Sequence, residues 1–338
     1  MIQLKQEPFG EAQLYRLTNG AGNYIELSNF GARIVSFVVG NRQMVLGFDR
    51  FLDYQITPHI GATIGRVAGR IKDGTANISG KDYQFSKNHP AGFTLHGGTP
   101  GFESRYFEVV ETKIEEHFGQ ITFRYVSKAF EHGFPGELTV DVTHRFDEET
   151  RWTVIFDATT TADTLFNPTN HVYFNLTGDV GQTIFDHTLQ LSSDEYAVLA
   201  ANGLPTGRKA SVALSDFDFR TPSKLRKVEK SHDVQIRQFD GLDHPFFLTE
   251  PSSAGHLVSP DGKFELTIQT NQSAVVVFTM NFGQEKLNFR GKQMVNHAGI
   301  TFETQSAPGS ERLPDFGHIV LKKWEAYHAG TIYQIKER

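Results

Sequence analysis

Four short islands, far apart along the chain, gather the residue types that move protons: Leu95-His96-Gly97-Gly98, Asn170-His171-Val172-Tyr173-Phe174-Asn175, Asp243-His244-Pro245 and Phe302-Glu303-Thr304-Gln305. A carboxylate takes a proton and an imidazolium gives one, so together they hold the minimum equipment for acid–base work on a neutral, polyhydroxylated substrate. If the segment after Pro168 is a strand, His171, Tyr173 and Asn175 share one face and Val172, Phe174 and Leu176 the other. Such a strand suits a cleft wall, and equally a half-buried sheet whose polar side meets water. His96 precedes a glycine pair whose missing Cβ lets a ligand or another backbone come close, although a glycine-rich turn with an incidental histidine reads the same way.

The carboxylates stand in apolar company. Asp243 precedes His244-Pro245-Phe246-Phe247-Leu248 and Glu303 follows Gly299-Ile300-Thr301-Phe302. A carboxylate embedded in an apolar strand is costly unless paired or used, so Glu303 is either functional or half of a buried ion pair with Arg66 or Arg70. Asp243 and His244 are neighbours, which on a strand sends their side chains to opposite faces. With 14 His but no His-Glu-X-X-His, no catalytic metal is expected. Gly74 to Lys81 is one residue too long for a phosphate loop and Asp82 stands where Ser or Thr is required, so a hairpin with Gly80-Lys81 in its turn is expected instead. No Gly-X-Gly-X-X-Gly accompanies alternating strands and helices, and no Gly-X-Ser-X-Gly elbow occurs, so neither a nicotinamide cofactor nor serine-hydrolase chemistry is expected.

Positioning these groups falls to strands. Segments rich in Val, Ile, Thr and Phe recur at Ile34 to Val39, Ile121 to Val126, Leu138 to Phe146, Trp152 to Ala158, Leu266 to Thr270 and Ala274 to Met280. Turn clusters such as Asn19-Gly20-Ala21-Gly22, Asp73-Gly74 and Pro260-Asp261-Gly262 separate them. Only Lys224 to Gln238 has spacing that fits one short helix, and its cations, interleaved with Glu229 and Asp233, read as a solvated face. Length alone suggests two domains, yet no linker, repeat or composition shift divides the 338 residues. The chain is therefore read as all-β, one large antiparallel sandwich domain over residues 1–338 with a broad concave face.

The net charge of -6, from 33 basic and 39 acidic residues, speaks against a nucleic-acid partner. The absence of cysteine removes disulfides, thiolate nucleophiles and Cys-held zinc or iron–sulfur clusters, and fits a reducing compartment. Apolar runs such as Ala274 to Phe278 fall far below the roughly 20 residues that span a bilayer. No basic region followed by an apolar run opens the sequence, so a soluble, cytoplasmic protein without a membrane partner is expected. The Asn-X-Ser/Thr triplets at Asn77, Asn175 and Asn271 are then chance matches.

In order and local wording the islands resemble those of the aldose 1-epimerases, also called galactose mutarotases. The likeness runs from Asn29-Phe30-Gly31-Ala32-Arg33-Ile34 to Thr331-Ile332-Tyr333, by way of Leu46-Gly47-Phe48, Gly133-Phe134-Pro135-Gly136 and Leu204-Pro205-Thr206-Gly207. It implies a large β-sandwich, sometimes called a supersandwich, that interconverts the anomers of free aldohexoses such as galactose and glucose without cofactor or metal. By resemblance Glu303 is the general base and His171 the general acid, His96, Arg70 and Asp243 bind sugar hydroxyls, and Phe278 is the aromatic contact. A homodimer is left open. Two departures stand out: Gly69 replaces the family's usual Asn before the second Arg, and Ser306-Ala307-Pro308-Gly309 replaces the common Pro-Asp-Ala wording after Gln305.

Rival readings are a glycoside hydrolase in which Asp243 and Glu303 flank a glycosidic bond, and a catalytically silent sugar-binding protein on the same fold. A phosphorylated sugar is a further variant, for which the islands offer only Arg66 and Arg70 as cations.

Overall fold

The computed structural model describes residues 1–281 and 287–338. β-Branched and aromatic residues alternate with polar ones along most strands, and among the described residues the strands pair antiparallel, with one isolated parallel bridge at Val67 and Asn167. The largest sheet has nine strands in the order Glu108–Ile114, Phe118–Ser127, Leu138–Asp147, Arg151–Thr160, Tyr327–Glu337, Phe264–Thr270, Gly255–Val258, Thr188–Leu191 and Ser223–Lys224. A six-stranded sheet runs Tyr173–Phe174, Ile300–Gln305, Ala274–Phe278, Asp243–Leu248, Ser193–Leu199, Pro205–Ser211. A five-stranded meander over residues 3–43 adds a further layer.

The nine- and six-stranded sheets meet face to face. Trp152, Tyr333, Leu266 and Ile268 from one pack in the same core as Phe174, Val275, Val277, Ile300 and Phe302 from the other. The Tyr333 hydroxyl donates to the Phe302 carbonyl at 2.8 Å, so the polar end of a fully buried ring is satisfied across the layers. The expected all-β sandwich is thus the observed architecture. Its core stands on the large apolar area that such residues remove from water, about 25 cal/mol per Å².

Period-2 alternation then decides what the far face of the six-stranded sheet presents. Phe302 and Ile300 point into the core, so Thr301, Glu303 and Gln305 point away from it; Val275 and Val277 point in, so Val276 and Phe278 point away. His244 is buried among the rings of Phe217, Phe239 and Tyr196, which turns Asp243 and Pro245 to the same outer face. Opposite faces for Asp243 and His244 were expected, and are found.

Two local expectations are corrected. The single helix expected over Lys224 to Gln238 is two helices, Arg226–Glu229 and Val234–Arg237, broken where the Asp233 carboxylate caps the second by accepting the Gln235 N–H at 2.7 Å. Within this segment Arg226 pairs with Asp186 and Glu229, in keeping with a solvated face. In the hairpin of Thr75–Ile78 with Lys81–Gln84, the turn is Ser79-Gly80 and Lys81 already begins the return strand. Among the described residues no helix is long and apolar enough to cross a membrane.

Candidate active site

The outer face of the six-stranded sheet floors a cavity of about 200 Å³, lined by residues of all four islands. That is below the roughly 300 to 1,000 Å³ of drug-sized ligand sites and suits a small molecule. Glu303 projects from Ile300–Gln305, a strand held on both sides by Tyr173–Phe174 and Ala274–Phe278. His171 lies in a break between two short strands: Thr169–Asn170 pairs with Thr63–Ile64, and Tyr173–Phe174 with Ile300–Thr301. Its own backbone is caught by the 59–62 turn, with His171 N–H donating to the Ala62 carbonyl at 2.9 Å and Gly61 N–H to the His171 carbonyl at 3.0 Å. A third element, the ladder of Arg70–Ile71 with Thr94–Leu95, brings Arg70 beside His96.

The central contact joins His171 Nε2 to Glu303 Oε1 at 3.2 Å, with both side chains almost wholly buried. Thr301 Oγ1 donates to Glu303 Oε1 at 3.2 Å, and Gln305 Nε2 reaches Oε2 at 3.5 Å. Burial, and then the nearby Asp243 carboxylate, push Glu303 up to about 8, while Thr301 and Arg70 pull the other way. Burial brings His171 down to about 4 against the opposing pull of Asp243. Between these values the pair carries one proton, which rests on Glu303 with His171 Nε2 3.2 Å away to take it. Tyr173, driven far above its ordinary value by burial and by Glu303 and Asp243, remains a neutral hydroxyl.

Further polar and aromatic groups surround this pair. Arg70 Nη2 donates to Asp243 Oδ2 at 3.0 Å, orienting a carboxylate while keeping further donors. Gly69 N–H donates to His96 Nδ1 at 3.2 Å, which leaves the proton of the neutral imidazole on Nε2. Burial, reinforced by His59, His171 and Arg70, holds His96 well below its ordinary range and hence uncharged. His96 adopts φ 51°, a left-handed conformation uncommon for a residue with a side chain and frequent where a site is being shaped. Phe278 lines the wall with its ring centroid 6.1 Å from that of Tyr173.

All six residues singled out from the sequence, Glu303, His171, His96, Arg70, Asp243 and Phe278, line this one cavity. Of the two arginines considered as ion-pair partners for Glu303, neither takes that place. Arg70 pairs with Asp243, and Arg66 is buried elsewhere, donating to the carbonyls of Ser127, Lys128 and Pro135. Asn175, expected beside His171 and Tyr173, instead donates to the carbonyls of Asp179, Gln182 and Ala298, because the strand ends at Phe174. The sequence reading missed His59, Leu199, Pro205 and Pro308, which also line the cavity. All four lie in or beside turns, and the only signal available was Pro or Gly nearby. The two departures from the family wording meet in space: a Cβ at Gly69 (φ 78°) would stand 2.7 Å from Pro308 Cγ.

The sandwich is galactose mutarotase-like in architecture. The sequence profile of the aldose 1-epimerase family matches residues 13–334. Human galactose mutarotase is 33% identical over 92% of this chain and 90% of its own, and the aldose 1-epimerase of Escherichia coli K12 is 30% identical over 95% and 94%. Among solved structures, a galactose 1-epimerase from Lactobacillus acidophilus NCFM superposes with a TM-score of 0.89 at 26% identity, covering 100% of this chain and 99% of that one. The GalM/aldose epimerase homologue from C. elegans gives a TM-score of 0.85 at 25% identity over the same shares. The chain belongs to the aldose 1-epimerase family, and it is accordingly an isomerase. Among the described residues no group of three or more His, Asp or Glu is arranged to hold a metal ion.

Proposed function

We propose that this protein interconverts the α and β anomers of free aldohexoses such as galactose and glucose, with Glu303 as general base and His171 as general acid. The observation that carries the reading is the 3.2 Å contact between Glu303 Oε1 and His171 Nε2 on the cavity floor. One proton shared across that contact reaches either group, and the form with carboxylate and imidazolium is the one that reacts. Arg70, whose charge favours ionised Glu303, helps to populate it.

With a sugar seated over the pair, Glu303 takes the proton of the anomeric hydroxyl while His171 gives its proton to the ring oxygen. The O1–C1 bond becomes a carbonyl, the C1–O5 bond breaks, and the open-chain aldehyde is released from ring constraint. Rotation about C1–C2 exposes the other carbonyl face. His171 then removes the proton from the O5 hydroxyl as O5 attacks C1, and Glu303 returns its proton to O1. Both residues end as they began, so no external donor or acceptor is consumed.

His96, Arg70 and Asp243 take the remaining hydroxyls and Phe278 the apolar face of the ring. Each such hydrogen bond, once buried, costs roughly 1 to 3 kcal/mol to leave unmade. The hydrolase alternative calls for no imidazole acid at the ring oxygen, so loss of activity in His171→Asn would speak against it.

The test is polarimetry on freshly dissolved α-D-galactose and α-D-glucose. Wild type is expected to speed relaxation to the anomeric equilibrium. Glu303→Gln and His171→Asn are expected to lose about 10²- to 10⁴-fold in turnover while still binding sugar. Sugar binding without faster relaxation by wild type would favour a silent binding protein instead.

A further inference from the structure

His59 is a half-buried imidazole in the same cavity for which the acid–base chemistry has no use. Its ring centroid lies 5.2 Å from that of His96 and 6.0 Å from that of His171, so three imidazoles line one side of the pocket. Its placement is rigid. The buried Arg33 guanidinium donates through Nη1 to the carbonyls on either side of it, Pro58 at 3.0 Å and Ile60 at 3.2 Å. The rest of that guanidinium is fixed on the Phe30 and Glu103 carbonyls. The turn itself closes with Ala62 N–H on the His59 carbonyl at 3.1 Å, and the same turn holds the His171 backbone.

Within the described residues, neither ring nitrogen of His59 has a hydrogen-bond partner, and neither belongs to the fully occluded unpaired atoms. A polar ring held this firmly, with unpaired nitrogens open to the cavity, is placed to pair with a polar group that enters it. Burial first, then His171 and Arg33, bring the imidazole down to about 3, so it is neutral in the working range. A neutral imidazole offers one N–H and one lone pair, which matches a hydroxyl that both accepts and donates.

We propose that His59 contacts the sugar directly, fixing one ring or exocyclic hydroxyl beside those taken by His96, and so sets which aldoses this pocket prefers. The inference rests on the sugar-binding reading of the cavity. It assigns His59 to recognition and leaves proton transfer to Glu303 and His171.

Two variants test it. His59→Phe keeps the ring and its packing and removes both nitrogens; His59→Gln keeps hydrogen-bonding capacity. Polarimetric kcat and KM are measured for galactose, glucose and the singly deoxygenated galactoses. For His59→Phe, KM is expected to rise roughly 10-fold, with kcat falling less than KM rises and the pH limbs unmoved. His59→Gln is expected to recover part of the loss. One deoxy sugar, penalised by wild type, should be handled by His59→Phe no worse than galactose is. An unchanged KM with every sugar overturns the proposal. So does a fall in kcat with a displaced pH limb, which would place His59 behind His171 as a support. If wild type accelerates no mutarotation, the catalytic reading fails separately, and calorimetric titration with galactose then decides His59. Weaker binding by His59→Phe upholds the contact, and equal binding, or none by wild type, overturns it.

Discussion

Glu303 and His171 are displaced in opposite senses, one up to about 8 and the other down to about 4. Between those values the pair holds a single proton, the one that the proposed mechanism uses. Below about 4 it takes up a second and loses its base; above about 8 it gives up the last and loses its acid. The expected pH profile of kcat/KM is therefore a plateau bounded near these values, and a single-limbed profile across that range would contradict the shared-proton pair. The same burial has a thermodynamic sign. A carboxyl whose folded value lies above its ordinary 4.5 contributes its stability below that pH and loses it as pH rises toward about 8. Glu303→Gln is thus expected to melt higher than wild type by a margin that grows over that window, measured by calorimetry at a series of pH values. At this scale the sequence was informative, because a carboxylate within an apolar strand such as Ile300-Thr301-Phe302-Glu303 has few explanations. His59 was not legible, since between Pro58 and Ile60 nothing distinguishes a pocket-lining imidazole from one in a solvated turn.

Strand periodicity carried most of what could be read at the level of elements. Alternation along Ala274–Phe278 and Ile300–Gln305 gives core residues and cavity residues directly. The break at His171 was not readable, because Thr169–Asn170 and Tyr173–Phe174 pair with strands more than 100 residues away on either side in sequence. Nor was the break within Lys224 to Gln238, where local caps override a loose periodicity. The cavity rim is likewise nonlocal: Arg312 Nη2 donates to the Pro205 carbonyl at 2.7 Å, tying the loop that carries Pro308 to the strand that opens at Pro205. Gly69 is the tightest joint of this rim, with a left-handed backbone and no room for a Cβ against Pro308. Gly69→Ala is expected to cost roughly 1 to 3 kcal/mol of stability and to lower kcat/KM by disturbing the Gly69 N–H to His96 bond. Adding Pro308→Gly should return part of both, since it removes the Cγ at 2.7 Å and the Cβ at 2.9 Å and leaves the φ strain; no recovery in denaturant melts or turnover would deny the coupling.

For the molecule as a whole, the nine- and six-stranded sheets share one core, and the site sits on the back of the smaller one. The single-domain reading carries an expected outcome: near-UV and far-UV circular dichroism and loss of activity should follow one coincident denaturant transition, and separate midpoints would point to units that unfold apart. A sandwich was foreseeable from end-to-end strand signals without a composition shift. Which strand neighbours which was not, because antiparallel pairing is decided by packing between distant segments. Tyr327–Glu337 illustrates this: the last strand in sequence lies in the middle of the nine-stranded sheet, between Arg151–Thr160 and Phe264–Thr270. Its position matters during synthesis. Until those residues leave the ribosome, the strands on either side present open edges to every other nascent chain in the cell, and Tyr333 is not there to brace the layer that bears Glu303. A message cut short anywhere before Tyr327 would yield a sticky product, however complete its cavity-lining residues.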